Sequence, residues 1–474
     1  MVQWLGDFQD WYEENKKNIL DEYLALLRFQ SISTDPAYAE EVHRCVDWLR
    51  GYIDAMGFEV QLWSTSRYPV LFAQYREPGP NYPTLLIYNH YDVQPPDPLE
   101  LWKDPPFAPA LHRDMVFARG ASDNKGQLAY VLSAVKAFLQ ISQEKNINIK
   151  LFIEGEEECG SIGTKEAIAA HREQLKADYC LIVDAGIPKR NIPAVTLGMR
   201  GITTMQVEVS NSSIDLHSGL FGGVVLNPLR ALVEGLSQIW VDGKVAIPGF
   251  YKDVVALSEQ EGAGIDLTFD ENAYRSHFGI HTFAGEPGYS LAQSRLLRPT
   301  VELNGIWGGY TGEGFKTVIP AKAYAKISCR LVPNQNAERI GHCVAEFLKA
   351  QFSDKMPCKV EILSSDPPFW TAQGGVISRI AAQAFEEVFG ERCRYVYSAA
   401  SVPIATALLA ACSGELILIG TSLDEDDIHA PNEHFSLEQF KKGYLIMARL
   451  LMLCATQKSV ELPPPRSSEF SEYS

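Results

Sequence analysis

Three consecutive carboxylates, Glu156, Glu157 and Glu158, stand inside the run Glu154-Gly155-Glu156-Glu157-Glu158. The residues before them, Asn148-Ile149-Lys150-Leu151-Phe152-Ile153, read as a buried strand, and Cys159-Gly160-Ser161 turns the chain toward a helix. Like charges gathered at the mouth of a strand repel one another, and a bound cation is the simplest counterweight. Further ligating groups occupy the same kind of position. His90 and Asp92 follow the apolar run Thr84-Leu85-Leu86-Ile87-Tyr88. Two apart at strand periodicity, they point the same way, so Asp92 can accept the ring N–H of a metal-bound His90. Asp123 opens a helix, Asp184 ends the run Tyr179-Cys180-Leu181-Ile182-Val183, and His429 follows an acidic loop beyond a last apolar strand. Singly, each has an ordinary reading: surface chemistry for His90 and Asp92, a helix cap for Asp123, a turn residue for Asp184, a loop histidine for His429. Their common place at strand ends argues for one site.

Imidazole with carboxylate suits Zn(II), with Mn(II) and Co(II) also compatible, and does not suit an all-oxygen calcium cage. Five groups with one shared carboxylate suit two ions ~3.5–4 Å apart, an arrangement used for hydrolysis. Neighbouring side chains cannot all face one site, so one acid of the run can ligate while another handles protons. The chain has no phosphate-cradling Gly-x-x-x-x-Gly-Lys-Ser/Thr and no Gly-x-Ser-x-Gly elbow, and Gly155, Gly160 and Gly163 lack dinucleotide-loop spacing.

The elements that must position these groups alternate. Helices are predicted near 8–29, 40–56, 120–141 and 162–175, and strands near 58–63, 69–75, 84–88, 148–153 and 179–183. Such alternation implies an α/β domain whose mainly parallel sheet carries helices on both faces, with ligands bound at the C-terminal strand ends. After Gly198-Met199-Arg200-Gly201 the texture changes to alternating strands (202–210, 323–331, 358–363) and two helices (227–239, 336–351), with an irregular stretch at 248–299. The expected organisation is a catalytic domain at 1–197 and 365–456, interrupted by an α+β lid or dimerisation domain at 198–364. A Pro- and Ser-rich tail at 457–474 reads as disordered.

A net charge of −17 argues against nucleic acid, which needs clustered Lys and Arg, and against an anionic membrane surface. No apolar run reaches ~18 residues, so no spanning helix is expected, and the N-terminus lacks the signal-peptide pattern. Nine scattered cysteines with no Cys-x-x-Cys pair read as reduced thiols of a cytoplasmic protein.

Five motifs occur in order: Asn89-His90-Tyr91-Asp92-Val93-Gln94-Pro95, Ala121-Ser122-Asp123-Asn124-Lys125-Gly126, Glu154-Gly155-Glu156-Glu157-Glu158-Cys159-Gly160-Ser161, Asp215-Leu216-His217-Ser218-Gly219 and His429-Ala430-Pro431-Asn432-Glu433. In them the chain resembles the M20 metallopeptidases, in their carnosinase-like or cytosolic nonspecific dipeptidase branch, from about Ile19 to Leu453. The resemblance implies that His90 and Asp184 hold one metal, Glu158 and His429 the other, and Asp123 bridges them, with a cis peptide between Asp123 and Asn124. It makes Glu157 the general base and leaves Glu156 outside the chemistry. It also implies a homodimer in which His217 of the inserted domain steadies the oxyanion in the partner's site. Arg330 would hold the substrate's free carboxylate, with Thr317 and Ser401 as further substrate contacts. Where many relatives have Arg-x-Gly-Gly-Ser-Ile-Pro, this chain has Tyr397-Ser398-Ala399-Ala400-Ser401-Val402-Pro403, which alters the pocket wall. The function so implied is hydrolysis of dipeptides or other short peptides with a free C-terminal carboxylate, by a water shared between two divalent ions. The alternatives are an N-acyl-amino-acid deacylase of the same chemistry, a carboxypeptidase on longer chains, a metal-dependent binding protein and a two-metal phosphoesterase.

Overall fold

The apolar runs of the first half become neighbouring strands because each is too hydrophobic to face water on either side. In this computed structural model, residues 3–255, 265, 267–352, 356–371, 374–399, 402 and 404–457 are described. The chain divides into two units. The first comprises Met1–Leu197, Thr371–Val396 and Val402–Ser474, and the second Gly198–Trp370 and Tyr397–Ser401.

In the first unit the strand order is Glu59–Trp63, Val70–Tyr75, Asn148–Glu154, Thr84–His90, Tyr179–Val183, Glu415–Ile419 and Ala194–Met199, the last running on past the unit's boundary. The four strands from Asn148–Glu154 to Glu415–Ile419 pair in parallel, and the outer pairings are antiparallel. Every residue of Asn148–Glu154 and of Tyr179–Val183 is buried, as strands covered on both faces must be. Two helix groups do the covering. One contains Gln3–Leu27, Lys125–Ile141, Val376–Phe389 and Leu437–Ala455, and the other Ile162–Ala170, Arg172–Leu175 and Ala405–Cys412. The parallel strands end together, and the ligand-bearing loops leave from that edge.

Several elements of the first unit depart from expectation. The helix expected at 162–175 is broken at His171, whose ring stacks on Trp63 at 4.1 Å. The helix Ala405–Cys412 and the strand Ala194–Met199 were not anticipated. Neither was a small sheet joining Ala110–His112, Met115–Phe117 and His434–Ser436.

The second unit is a four-stranded antiparallel sheet ordered Thr300–Gly308, Lys322–Leu331, Gly201–Ser210, Cys358–Asp366. Gly201–Ser210 alternates buried and half-buried residues, the pattern of a sheet with one packed face. Val207, Ile327, Leu232, Leu236, Ile340 and Val344 form the core between the sheet and the helices Pro228–Ser237 and Ala337–Gln351. Arg330 stands opposite Ile202 on the alternate register, between buried Cys329 and Leu331. The stretch read as irregular holds helices Glu271–Phe278, capped by Asp270, and Leu291–Leu297, opened by a Ser290/Gln293 capping box. Among the described residues no helix is long and apolar enough to cross a membrane. The tail expected to be disordered lies, from residue 458 on, outside the described residues.

Candidate active site

His90 is the last residue of its strand, fully buried, and sits opposite Glu154 in the parallel register. Its Nε2 lies 3.1 Å from Asp123 Oδ1 and 3.6 Å from Asp184 Oδ1. The other Asp123 oxygen is 3.0 Å from His429 Nε2, which is 3.2 Å from Glu158 Oε2. Two donor groups result, His90–Asp123–Asp184 and Asp123–Glu158–His429, each with its ligating atoms within 4.8 Å of one another. Asp123 belongs to both. Positions far apart in the chain thus meet at one edge of the sheet, with His429, whose side chain is 52% exposed, on the solvent side.

Local structure explains how each donor is aimed. The Asp123–Asn124 peptide is cis. The Asn124 amide donates to Asp184 Oδ1 (2.7 Å) and to the carbonyl of Val183 (2.8 Å), while its own oxygen accepts from Asn89 (2.7 Å). Asp184 is therefore steadied by the residue next to Asp123. Gln94 donates to Glu158 Oε2 at 2.8 Å and to its carbonyl at 3.2 Å.

The acidic run divides by direction. Glu156 is buried and turned away, accepting from the Thr65 hydroxyl (2.5 Å), the Gly163 N–H (2.9 Å) and the Tyr68 N–H (3.3 Å). A Cβ at position 163 would stand 2.7 Å from Glu156 Oε1, which is why glycine is needed there. Glu157 and Glu158 lie on a short 3-10 turn facing the cluster.

Asp92 departs from expectation. The nearer partner of His90 Nδ1 is the Asp92 carbonyl oxygen at 3.1 Å, with the carboxylate at 3.4 Å. That carboxylate instead accepts from the Ser33 hydroxyl (2.6 Å) and from the backbone N–H groups of Glu158 (3.0 Å) and Glu157 (3.3 Å). Those two bonds tie the carboxylate to the turn that carries the two acids.

Charge is concentrated here. Burial pushes the Glu157 carboxyl well above the ordinary range; His90 opposes this, and Glu158, Asp184 and Asp123 add to it. Burial, followed by Asp123, pushes Glu158 up to about 7. Hydrogen bonds to Asp123 and Glu158 push His429 up to about 11. Burial works against a charged His90, yet Asp184, Asp123 and Asp92 hold its proton affinity well above the ordinary value. The two imidazoles thus sit among carboxylates whose mutual repulsion a divalent cation would relieve. Glu158 Oε1 is also buried without a hydrogen-bond partner. Mixed nitrogen and oxygen donors, a shared carboxylate and that orphaned oxygen fit a pair of divalent ions.

Four expected residues fall within the second unit's ranges. His217 is exposed and forms a two-residue ladder with Val318. Its Nδ1 accepts from the Gly219 N–H at 3.0 Å, so in the neutral ring Nε2 carries the proton and is a donor. The Ser218 N–H donates to the Thr317 carbonyl at 3.0 Å, which brings Thr317 beside His217. Arg330 is half-buried on its own strand. Ser401 lies outside the described residues.

The sequence reading missed Asn124, Gln94 and Glu433 as supports. All three lie inside the quoted motifs, close to ligands, which is the signal that could have found them.

The profile of peptidase family M20/M25/M40 matches residues 86–453. Cys-Gly metallodipeptidase dug1 of Schizosaccharomyces pombe is 32% identical over 394 residues, spanning 79% of this chain and 80% of its own length. The solved structure of the di-peptidase Dug1p from Saccharomyces cerevisiae is similar with a TM-score of 0.85 at 25% identity, covering 96% of this chain and 100% of that one. Human carnosine dipeptidase 1 is similar with a TM-score of 0.83 at 26% identity, with the same coverage of 96% and 100%. The chain therefore belongs to peptidase family M20/M25/M40, as a metallopeptidase of the dipeptidase kind.

Proposed function

We propose that this dipeptidase works with two divalent ions, zinc before manganese or cobalt, held by His90 and Asp184 on one side, Glu158 and His429 on the other, and Asp123 between. The observation that carries this reading is the pair of donor groups sharing Asp123. Ions so placed lower the pKa of water and polarise a carbonyl. Glu157 is the general base: its carboxylate takes a proton from the attacking water and returns it to the leaving nitrogen. Asp92 keeps Glu157 and Glu158 on their turn through two backbone N–H bonds.

The substrate's free carboxylate is assigned to Arg330, whose planar fork suits bidentate binding, with Thr317 and Ser401 as further contacts. His217 donates Nε2–H to the oxyanion in the site of a second copy, making the protein a homodimer through the second unit. The exposed His217 and the apolar side chains Val224 (84% exposed) and Phe315 (91%) of the same unit support that surface. A cytoplasmic location is supported by nine cysteines that are all free.

The names of the relatives, Cys-Gly and carnosine dipeptidases, favour unblocked dipeptides as substrates. The test is a screen of dipeptides, tripeptides, and N-acetyl and N-succinyl amino acids with added Zn(II) or Mn(II). Cleavage of dipeptides above the other classes is expected. Preference for the acylated amino acids would make the protein a deacylase instead.

A further inference from the structure

Glu433 is buried and sits four residues after His429, outside both donor groups. Its carboxylate is fully engaged with the segment that ends at Asp123. Oε1 accepts from the backbone N–H groups of Ser122 (2.9 Å) and Asp123 (3.0 Å), and Oε2 from Gly120 N–H (2.8 Å) and Arg119 Nη1 (2.7 Å). The remaining N–H of the segment, that of Ala121, goes to the Ala118 carbonyl, and the Ala118 N–H goes to the Glu433 carbonyl at 3.1 Å. A buried ion pair with Arg119 would need only one oxygen. The second oxygen is given wholly to the two residues at and before the shared ligand.

The same device occurs once more at this sheet edge. Asp92, two residues after His90, accepts the backbone N–H groups of Glu157 and Glu158. In each case a loop that carries an imidazole also carries an acid, and that acid clasps the backbone of a loop carrying a carboxylate. From this we infer that Glu433 is a positioning residue for Asp123, setting the affinity of both ion positions at once while touching neither ion. The inference rests on the two-ion reading above. It separates Glu433 from Gln94, which touches only Glu158 and so governs one donor group.

The test is calorimetric titration of Zn(II) into the metal-free full-length chain, with circular dichroism and urea unfolding of each variant alongside. Glu433→Gln should weaken both equivalents of Zn(II) by at least ~10-fold, the usual range for the outer partner of a metal ligand. Gln94→Leu should weaken one equivalent and spare the other. Glu433→Gln that is less stable but binds both ions with wild-type affinity overturns the inference, leaving Glu433 a plain structural acid. Should Glu433→Gln fail to fold, Glu433→Asp keeps the charge for Arg119 while drawing the carboxylate back by one methylene. The same loss at both positions is expected, and wild-type binding overturns the inference. Asp123→Asn separates the two levels: if it binds two ions as wild type does, the ligand assignment itself fails, whatever Glu433 does.

Discussion

Glu154 offers a measurement of what the sheet edge costs, independent of any ion. It ends the central strand Asn148–Glu154, is fully buried, and accepts the Tyr88 hydroxyl at 2.6 Å. Burial pushes its carboxyl from the ordinary 4.5 up to about 7, the Tyr88 bond offsetting part of this and Asp92 adding to it. Folding therefore favours the protonated acid. The stability this gives is fully present below pH 4.5 and is lost as pH rises through about 7. At about 1.4 kcal/mol per pH unit, the gap corresponds to roughly 3 kcal/mol. Gln cannot ionise and imitates the protonated acid in shape. Glu154→Gln should match wild type near pH 4.5 and exceed it by roughly 3 kcal/mol at pH 8. Urea unfolding of the metal-free protein, followed by tryptophan fluorescence at half-unit pH steps, would read the divergence directly. Parallel curves for the two proteins from pH 4.5 to 8 would refute the reasoning, because Glu154 would then have the same proton affinity folded and unfolded.

Three further perturbations bear on the chemistry. Glu157→Gln should lower kcat by ~10²–10⁴ with calorimetric ion binding retained; near-normal turnover would assign the base elsewhere. His217→Ala should lower kcat by ~10²–10³, the usual cost of an oxyanion donor. Mixing inactive Glu157→Gln and His217→Ala chains should restore up to about half of the activity, since a hybrid dimer holds one site with both groups intact; no recovery in verified hybrids would place His217 in its own chain's site. Arg330→Lys should raise KM roughly tenfold for dipeptides with little change for their C-terminal amides, since a point charge replaces a bidentate fork; equal losses on both substrates would remove the carboxylate assignment.

The fold is legible in the sequence wherever an element depends on its own residues. Leu151-Phe152-Ile153 and Tyr179–Val183 are continuously apolar, which marks strands covered on both sides, and both strands are buried at every residue. Gly201–Ser210 alternates, so it shows its single packed face before any partner is known. What escapes reading is set by distant partners. Met115–Phe117 is three residues long and becomes a strand because Ala110–His112 and His434–Ser436 lie beside it. The break at His171 is another case: nothing in Ile162–Leu175 demands it, and the imidazole there is stacked on Trp63, more than a hundred residues earlier.

A similar division runs through the site. Histidines and clustered acids at strand ends are unusual enough in type and place to declare themselves, and that is why His90, Asp123, Asp184, His429 and the run Glu156-Glu157-Glu158 stand out together, while the choice of Glu158 as the ligand comes from the resemblance to the M20 family. The groups that aim them are common residues with common explanations. Asn124, Gln94 and Glu433 are residue types found in any loop, and nothing in their type marks them until the backbone N–H groups and carboxylate oxygens they serve are located. Asp92 shows how near the sequence reading comes and where it stops. Its spacing from His90 offers it as a partner of the imidazole, but spacing along the chain cannot report that Glu157 and Glu158 arrive from the neighbouring strand with two N–H groups in need of an acceptor. Buried donors must be satisfied from whatever packs against them, so the supports of a site are written in the pairing of its strands. For this chain that pairing is the parallel register that sets His90 beside Glu154 and delivers the acidic run to the same edge.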